Sequence, residues 1–144
     1  MKEHPLVFTS IEQSEKLVEL GLNQETADMS YYDGIPQLTT YSWNKRHIEF
    51  LNEDCINVLP CWSLGQLIES LPRFIKFKKG QDIVECRLQI YPDVIGNWNV
   101  DYSAFEVDFV PIDFQDKNLL DAVFYMVCYL LETSTKNRTS IMLA

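Results

Sequence analysis

The chain has little from which a chemical centre could be built. It has two histidines, His4 and His47, and four cysteines, Cys55, Cys61, Cys86 and Cys128, with no CxxC pair among them. A zinc site needs closely spaced thiolate or imidazole ligands, so no metal is expected. There are only five glycines, and no glycine-rich phosphate loop or GxSxG elbow, so no cofactor or strained nucleophile is expected either. Long hydrophobic runs are also missing. The nearest to one, Ala122 to Leu131, is about half the ~20 residues a membrane-spanning helix needs and reads as a buried core helix. The opening MKEHPLVFTSIEQSEK has no apolar stretch of signal-peptide length. These absences predict a soluble, cytoplasmic protein whose cysteines are free thiols. In such a protein the Asn137-Arg-Thr sequon carries no meaning.

Basic residues are the other scarcity. Twelve Lys and Arg face 21 Asp and Glu, for a net charge of −9, which opposes the phosphate neutralisation that non-specific nucleic-acid binding depends on. The imbalance is uneven. Arg73, Lys76, Lys78 and Lys79 form a basic stretch, whereas Leu88 to Asp116 holds no base at all, only Asp93, Asp101, Glu106, Asp108, Asp113 and Asp116.

What is present is enough for a core. Apolar residues make up 47% of 144 residues and aromatics 12%, and no linker, repeat or low-complexity tract divides them. Residues 1–144 therefore read as one domain, with 133–144 a loose tail. Thr9 or Ser10 opens a capping box with Glu12 or Gln13. Ile11, Ser14, Leu17 and Val18 share a helix face, and Leu20-Gly21-Leu22 reads as a Schellman stop. Asn23 caps a short turn, Gln24 to Met29, and Tyr31-Tyr-Asp-Gly-Ile-Pro36 is turn chemistry. Residues 38–58 hold no single period and are read as two short strands.

The stretch Leu59-Pro-Cys-Trp-Ser-Leu-Gly-Gln-Leu-Ile-Glu-Ser-Leu-Pro72 places Ser63 as N-cap with Gln66 completing the box. Trp62 and Leu67 occupy the two positions of a hydrophobic staple. Arg73 to Lys79 alternates poorly. In Ile83 to Tyr91, Val84, Cys86, Leu88 and Ile90 face one way and Glu85, Arg87 and Gln89 the other. Trp98, Val100 and Tyr102, then Phe105, Val107 and Phe109, continue the alternation. Asp116 or Asn118 caps a last helix whose broad apolar face includes Leu120, Val123, Val127 and Leu130. The fold class expected is α+β: an antiparallel meander of about three to five strands packed on a long C-terminal helix, with an N-terminal helix and a short central helix.

Three segments also carry a resemblance. Thr9-Ser-Ile-Glu-Gln-Ser-Glu-Lys-Leu-Val-Glu-Leu-Gly-Leu-Asn-Gln-Glu-Thr-Ala-Asp-Met29, the WSLG pattern between Pro60 and Pro72, and Asp121-Ala-Val-Phe-Tyr-Met-Val-Cys-Tyr-Leu-Leu-Glu132 resemble small proteins of gut Bacteroides-type bacteria, their phages and mobile elements. The family has no assigned activity or site residues. The resemblance implies a bacterial or phage origin and a common α+β fold.

The functional expectation is a non-enzymatic protein-interaction module without cofactor, its partner a protein. The candidate contacts are Trp98 and Tyr102 among the acids Asp101, Glu106 and Asp108, since Tyr and Trp amid polar groups suit protein surfaces. The competing reading of the same residues makes Trp98 and Tyr102 core and the carboxylates a solvated sheet face. A second functional reading is single-stranded nucleic-acid binding through Arg73, Lys76, Lys78 and Lys79, where cations alternate with aromatics. Against it stands an edge strand guarded by lysines. A third is a thiol-dependent enzyme using Cys55 or Cys61 with His47. For that region the architectural reading is two packed cysteines and a surface histidine.

Overall fold

A capping box, Ser10 with Gln13, starts the first helix as the sequence predicts. In the computed structural model, which describes residues 7–38, 58–136 and 141–143, Ser10 Oγ accepts the Gln13 N–H at 3.1 Å and Gln13 Oε1 accepts the Ser10 N–H at 3.0 Å. Helix α1 runs Ile11–Leu20. It ends in a Schellman motif: Leu22 N–H donates to Leu17 O and Gly21 N–H to Val18 O, with Gly21 at φ +90° where a side chain would be strained. Ser14 and Leu17 are buried, whereas Ile11, expected on the same face, is 40% exposed.

The described chain falls into two compact units, Met1–Ser70 and Leu71–Ala144. In the first, the single-turn helix Gln24–Thr26 leads to strand β1, Met29–Tyr32, which pairs on one side with β2, Ile35–Leu38, and on the other with β3, Val58–Cys61. Asp33 and Gly34, both at positive φ, form the two-residue connection between β1 and β2, the chemistry that matches strand twist. Helix α2, Leu64–Ser70, follows β3. The strands expected within 38–58 fall on residues outside those described, apart from Leu38 and Val58, which belong to β2 and β3.

The second unit carries the meander. Strands β4 (Phe74–Lys79), β5 (Asp82–Pro92), β6 (Trp98–Ala104) and β7 (Phe109–Asp116) pair antiparallel in sequence order. Helix α3, Leu119–Lys136, packs on them: Phe114 meets Tyr125 and Tyr129, with ring centroids 6.2 and 5.9 Å away. Register places Val100 opposite Phe114 and Tyr102 opposite Ile112, so these residues line the helix face of the sheet. There Val100, Tyr102, Ile75 and Cys86 join Leu120, Val123 and Met126 in the core. Asn118 N–H is held by Asp116 Oδ1, and Asn118 Oδ1 in turn accepts from Asp121 N–H, so both residues expected to cap α3 take part. The fold is α+β, an antiparallel sheet on a long C-terminal helix.

Two local expectations change. Phe105 to Phe109 is not a continuation of strand. Phe105–Val107 is a 3-10 turn, and Asp108 sits in the left-handed region at φ 49°, a conformation aspartate tolerates better than most residues. The tail is structured at one point, since β8, Ile141–Leu143, pairs with β4. Strand β4 is therefore flanked on both sides rather than being an edge.

Candidate binding face of the sheet

Alternation along β6 sends Asn99, Asp101 and Ser103 to the side of the sheet away from α3. Their neighbours in register are Tyr91, Gln89 and Arg87 on β5, and on β7 Gln115 and Asp113, opposite Asn99 and Asp101. Such a face is ordinarily where a half-buried sheet meets water. Yet Asn99, Asp101 and Ser103 are only 3–4% exposed. They form a row of buried polar groups with a hydrogen-bonding requirement that water does not meet freely.

Asn99 meets that requirement: its Nδ2 donates to Asp93 Oδ2 at 3.0 Å. Asp101 meets it by half, with Oδ2 accepting from the Tyr91 hydroxyl at 2.9 Å. Asp101 Oδ1 and Ser103 Oγ have no hydrogen-bond partner among the described residues. Burial pushes the Asp101 carboxyl above its ordinary range and Asp113 adds to the rise, while Tyr91 and the nearby Ser103 hydroxyl pull it back. The same hydrogen bond is the largest cause of the Tyr91 phenol being pushed up to about 12.

A stability prediction follows from this geometry. Asp101→Asn keeps an acceptor for Tyr91 and removes a buried charge with one unpaired oxygen, so it should stabilise the chain by about 1 kcal/mol near pH 7. A carboxyl whose folded-state pKa is raised contributes stability below its unfolded value, near 3.9, and loses it as pH rises through the folded value. The gain from Asp101→Asn should therefore be full at neutral pH and vanish below about pH 4. Urea unfolding of both proteins at the two pH values checks it. A variant less stable than the parent at pH 7 would mean the carboxylate is needed in its charged form.

The β5–β6 connection projects from the same strands. Asp93 organises it, its Oδ1 accepting the N–H groups of Ile95 and Asn97 at 3.0 and 2.9 Å, with Asp93 N–H donating to Asn97 O at 2.8 Å. These donors, Asn99 foremost, hold the Asp93 carboxyl below its ordinary value. On this fixed turn Val94 is fully exposed and Ile95 76% exposed.

The residues singled out from sequence are not brought together. Tyr102 is fully buried on the helix face, its hydroxyl donating to Pro72 O at 2.7 Å, and Trp98, of the same parity, is half-buried. Asp101 lies on the opposite face, buried rather than solvated, and Glu106 and Asp108 are exposed in the turn after β6. Of the basic stretch, Arg73, Lys76 and Lys78 are exposed. Lys79 lies over the Phe109 ring at 5.4 Å and donates to Val107 O. Sequence reading passed over Ser103 and the Val94–Ile95 tip. The tip had a signal, two aliphatics between Asp93 and Gly96 inside a turn. The burial of Ser103 had none.

Cys61 sits in a closed polar knot of the first unit. It is fully buried, its Sγ donates to Thr9 O at 3.3 Å, and Thr9 Oγ1 lies 3.6 Å from Sγ. Tyr31 donates to the same Thr9 carbonyl at 2.6 Å, and its phenol is pushed up to about 12, chiefly by burial. Burial likewise raises the Cys61 thiol, the opposite of what an attacking thiolate requires. Cys55 and His47, the rest of that proposed pairing, lie outside the described residues. Among the described residues no cluster of His, Cys, Asp and Glu is disposed to hold a metal, and no helix is long and apolar enough to cross a membrane. No protein-family model, curated protein or solved structure matches the chain.

Proposed function

We propose that the protein is a non-enzymatic interaction module that docks a protein partner through the β5–β6 tip. The observation carrying this reading is the pair Val94 and Ile95, exposed side by side on a turn that Asp93 holds rigid. Adjacent exposed aliphatics are unfavourable in water unless something covers them, and a turn already fixed in shape loses little entropy on binding. Around it, Leu88 to Asp116 carries acids and no base. The partner chemistry that fits is an apolar pocket with a basic rim, the acids guiding encounter and the aliphatics supplying contact. Exposed Glu106 and Asp108 suit the guiding role. Tyr102 and Asp101, both buried, do not make first contact.

The test is affinity capture from a bacterial lysate with and without nuclease, comparing the parent with Val94→Ser/Ile95→Ser. A stoichiometric protein partner that survives nuclease and is lost at least tenfold with the double variant is the expected result. Capture that disappears with nuclease would transfer the function to the basic strand, Arg73, Lys76, Lys78 and Lys79. Capture undiminished in the double variant would overturn the tip as the contact.

A further inference from the structure

At the other end of the polar sheet face, three strands place Phe74, Arg87 and Ser103 side by side in register. They line a cleft of about 270 Å³, just under the size usual for small-molecule sites. Its walls also carry Glu85, Gln89, Phe105 and Glu106. Ser103, 4% exposed, reaches this cleft, its hydroxyl interacting with the Asp101 carboxylate without closing a full hydrogen bond. Phe105 is 78% exposed and Phe74 38%, so both rings present apolar faces to whatever enters. The Arg87 guanidinium lies over Phe74, 5.7 Å from the centroid, and makes no ion pair among the described residues.

We propose that this cleft binds a neutral saccharide of one or two rings. The argument is the mixture of groups. An anion would gain Arg87 but meet Glu85 and Glu106, a cation would gain both carboxylates but meet Arg87, and an apolar ligand would cover Glu85, Arg87, Gln89 and the Ser103 hydroxyl without offering any of them a partner. A polyol satisfies all of them together. Its hydroxyls donate to Glu85 and Glu106, accept from Arg87 and Gln89, and do both with Ser103. The C–H face of its ring lies on the exposed phenylalanines, the combination of apolar lining and a few placed polar groups that fixes small ligands. This site shares Glu106 with the acids that guide the partner but uses neither Val94 nor Ile95, so either contact can fail alone.

The experiment is a two-dimensional amide NMR titration of the full chain with glucose, galactose, mannose, N-acetylglucosamine and their common disaccharides. At least one is expected to bind in the millimolar range, with shifts confined to residues 74, 85–89 and 103–106. Phe105→Ala, at an exposed position that leaves the fold intact, should weaken binding at least tenfold. Ser103→Ala should do so about tenfold, the equivalent of one hydrogen bond in a closed site. Val94→Ser/Ile95→Ser should bind as the parent does. Silence of these amides towards every sugar, or equal binding by Phe105→Ala, overturns the proposal. So does a response to lysine, arginine or glutamate in place of sugars, which would assign the cleft to a charged ligand.

Discussion

Trp62→Ala should lower the stability of the first unit by about 3–5 kcal/mol, the range for emptying a large aromatic site in a core. Trp62 is among the largest side chains with no exposed surface, and it stands immediately before the Ser63 cap of α2. Leu67, at the facing position of the staple, is also fully buried, so the cavity would open where the chain turns into the helix. The indole N–H donates to Thr26 Oγ1 at 2.9 Å, linking that turn to the helix Gln24–Thr26. Trp62→Phe separates the two contributions. It keeps most of the volume and loses the hydrogen bond, and Thr26 still donates to Asn23 O, so about 1 kcal/mol should go. Urea unfolding followed by circular dichroism, with amide exchange at Thr9 and Leu67, measures both. If alanine and phenylalanine cost the same, the indole N–H matters and the packing does not.

The elements legible in the sequence are those whose causes are local. Ser10 with Gln13, Gly21 as a helix stop, Asn23, Ser63 and Asn118 each act within a few residues of themselves, and the structure places all of them as caps. The alternation of Val84, Cys86, Leu88 and Ile90 was equally visible, because a strand packed on a helix from one side must repeat every second residue. β1 was harder to see: Met29–Tyr32 is buried over three consecutive residues, so no alternation marks it. The alternation from Phe105 to Phe109 misled, since a period of two survives a 3-10 turn on paper, while Asp108 in the left-handed region ends the strand.

The candidate site was legible only by half. An acidic stretch without bases is a fact of composition, and it points to the strands that carry the proposed contact. Which residues of it are exposed depends on how deeply each side of the sheet is covered. Trp98 and Tyr102 have the residue types of a contact surface, but their parity is that of Val100, and α3 covers that side. Asp101 has the residue type of a solvated face, yet only 3% of it is exposed. Exposure passed instead to Val94, Ile95 and Phe105, apolar residues that a pattern reading assigns to a core. Glu85, Arg87 and Asp113 on this face are exposed in the ordinary way, and the departures are the buried Asp101 and the exposed aliphatics and phenylalanine at its ends.

The second large effect should come from a residue the capping motif does not contain. Asp28→Ala is expected to cost about 2 kcal/mol, the scale of hydrogen bonds made to a charged group. Asp28 Oδ1 accepts the Ser63 N–H at 2.9 Å and Oδ2 accepts the Ser63 hydroxyl at 2.5 Å. With its proton committed there, Ser63 Oγ has a lone pair for the Gln66 N–H at 3.3 Å. The carboxylate therefore does the work a capping box assigns to the Gln66 side chain, and it lies at the positive end of α2. Only a contact between residues 35 apart could reveal this, which is why Ser63 with Gln66 reads as a complete box in the sequence. The rival outcome is specific. If the Gln66 amide can take the Ser63 N–H once Asp28 is gone, Asp28→Ala alone will cost little, and Gln66→Ala will cost much more in that background than in the parent. If Asp28 governs the cap, Gln66→Ala changes stability by less than about 0.5 kcal/mol in the parent, and the full loss appears with Asp28→Ala. Asp28→Asn, which keeps an acceptor for the N–H but places an amide against the hydroxyl, should fall between them.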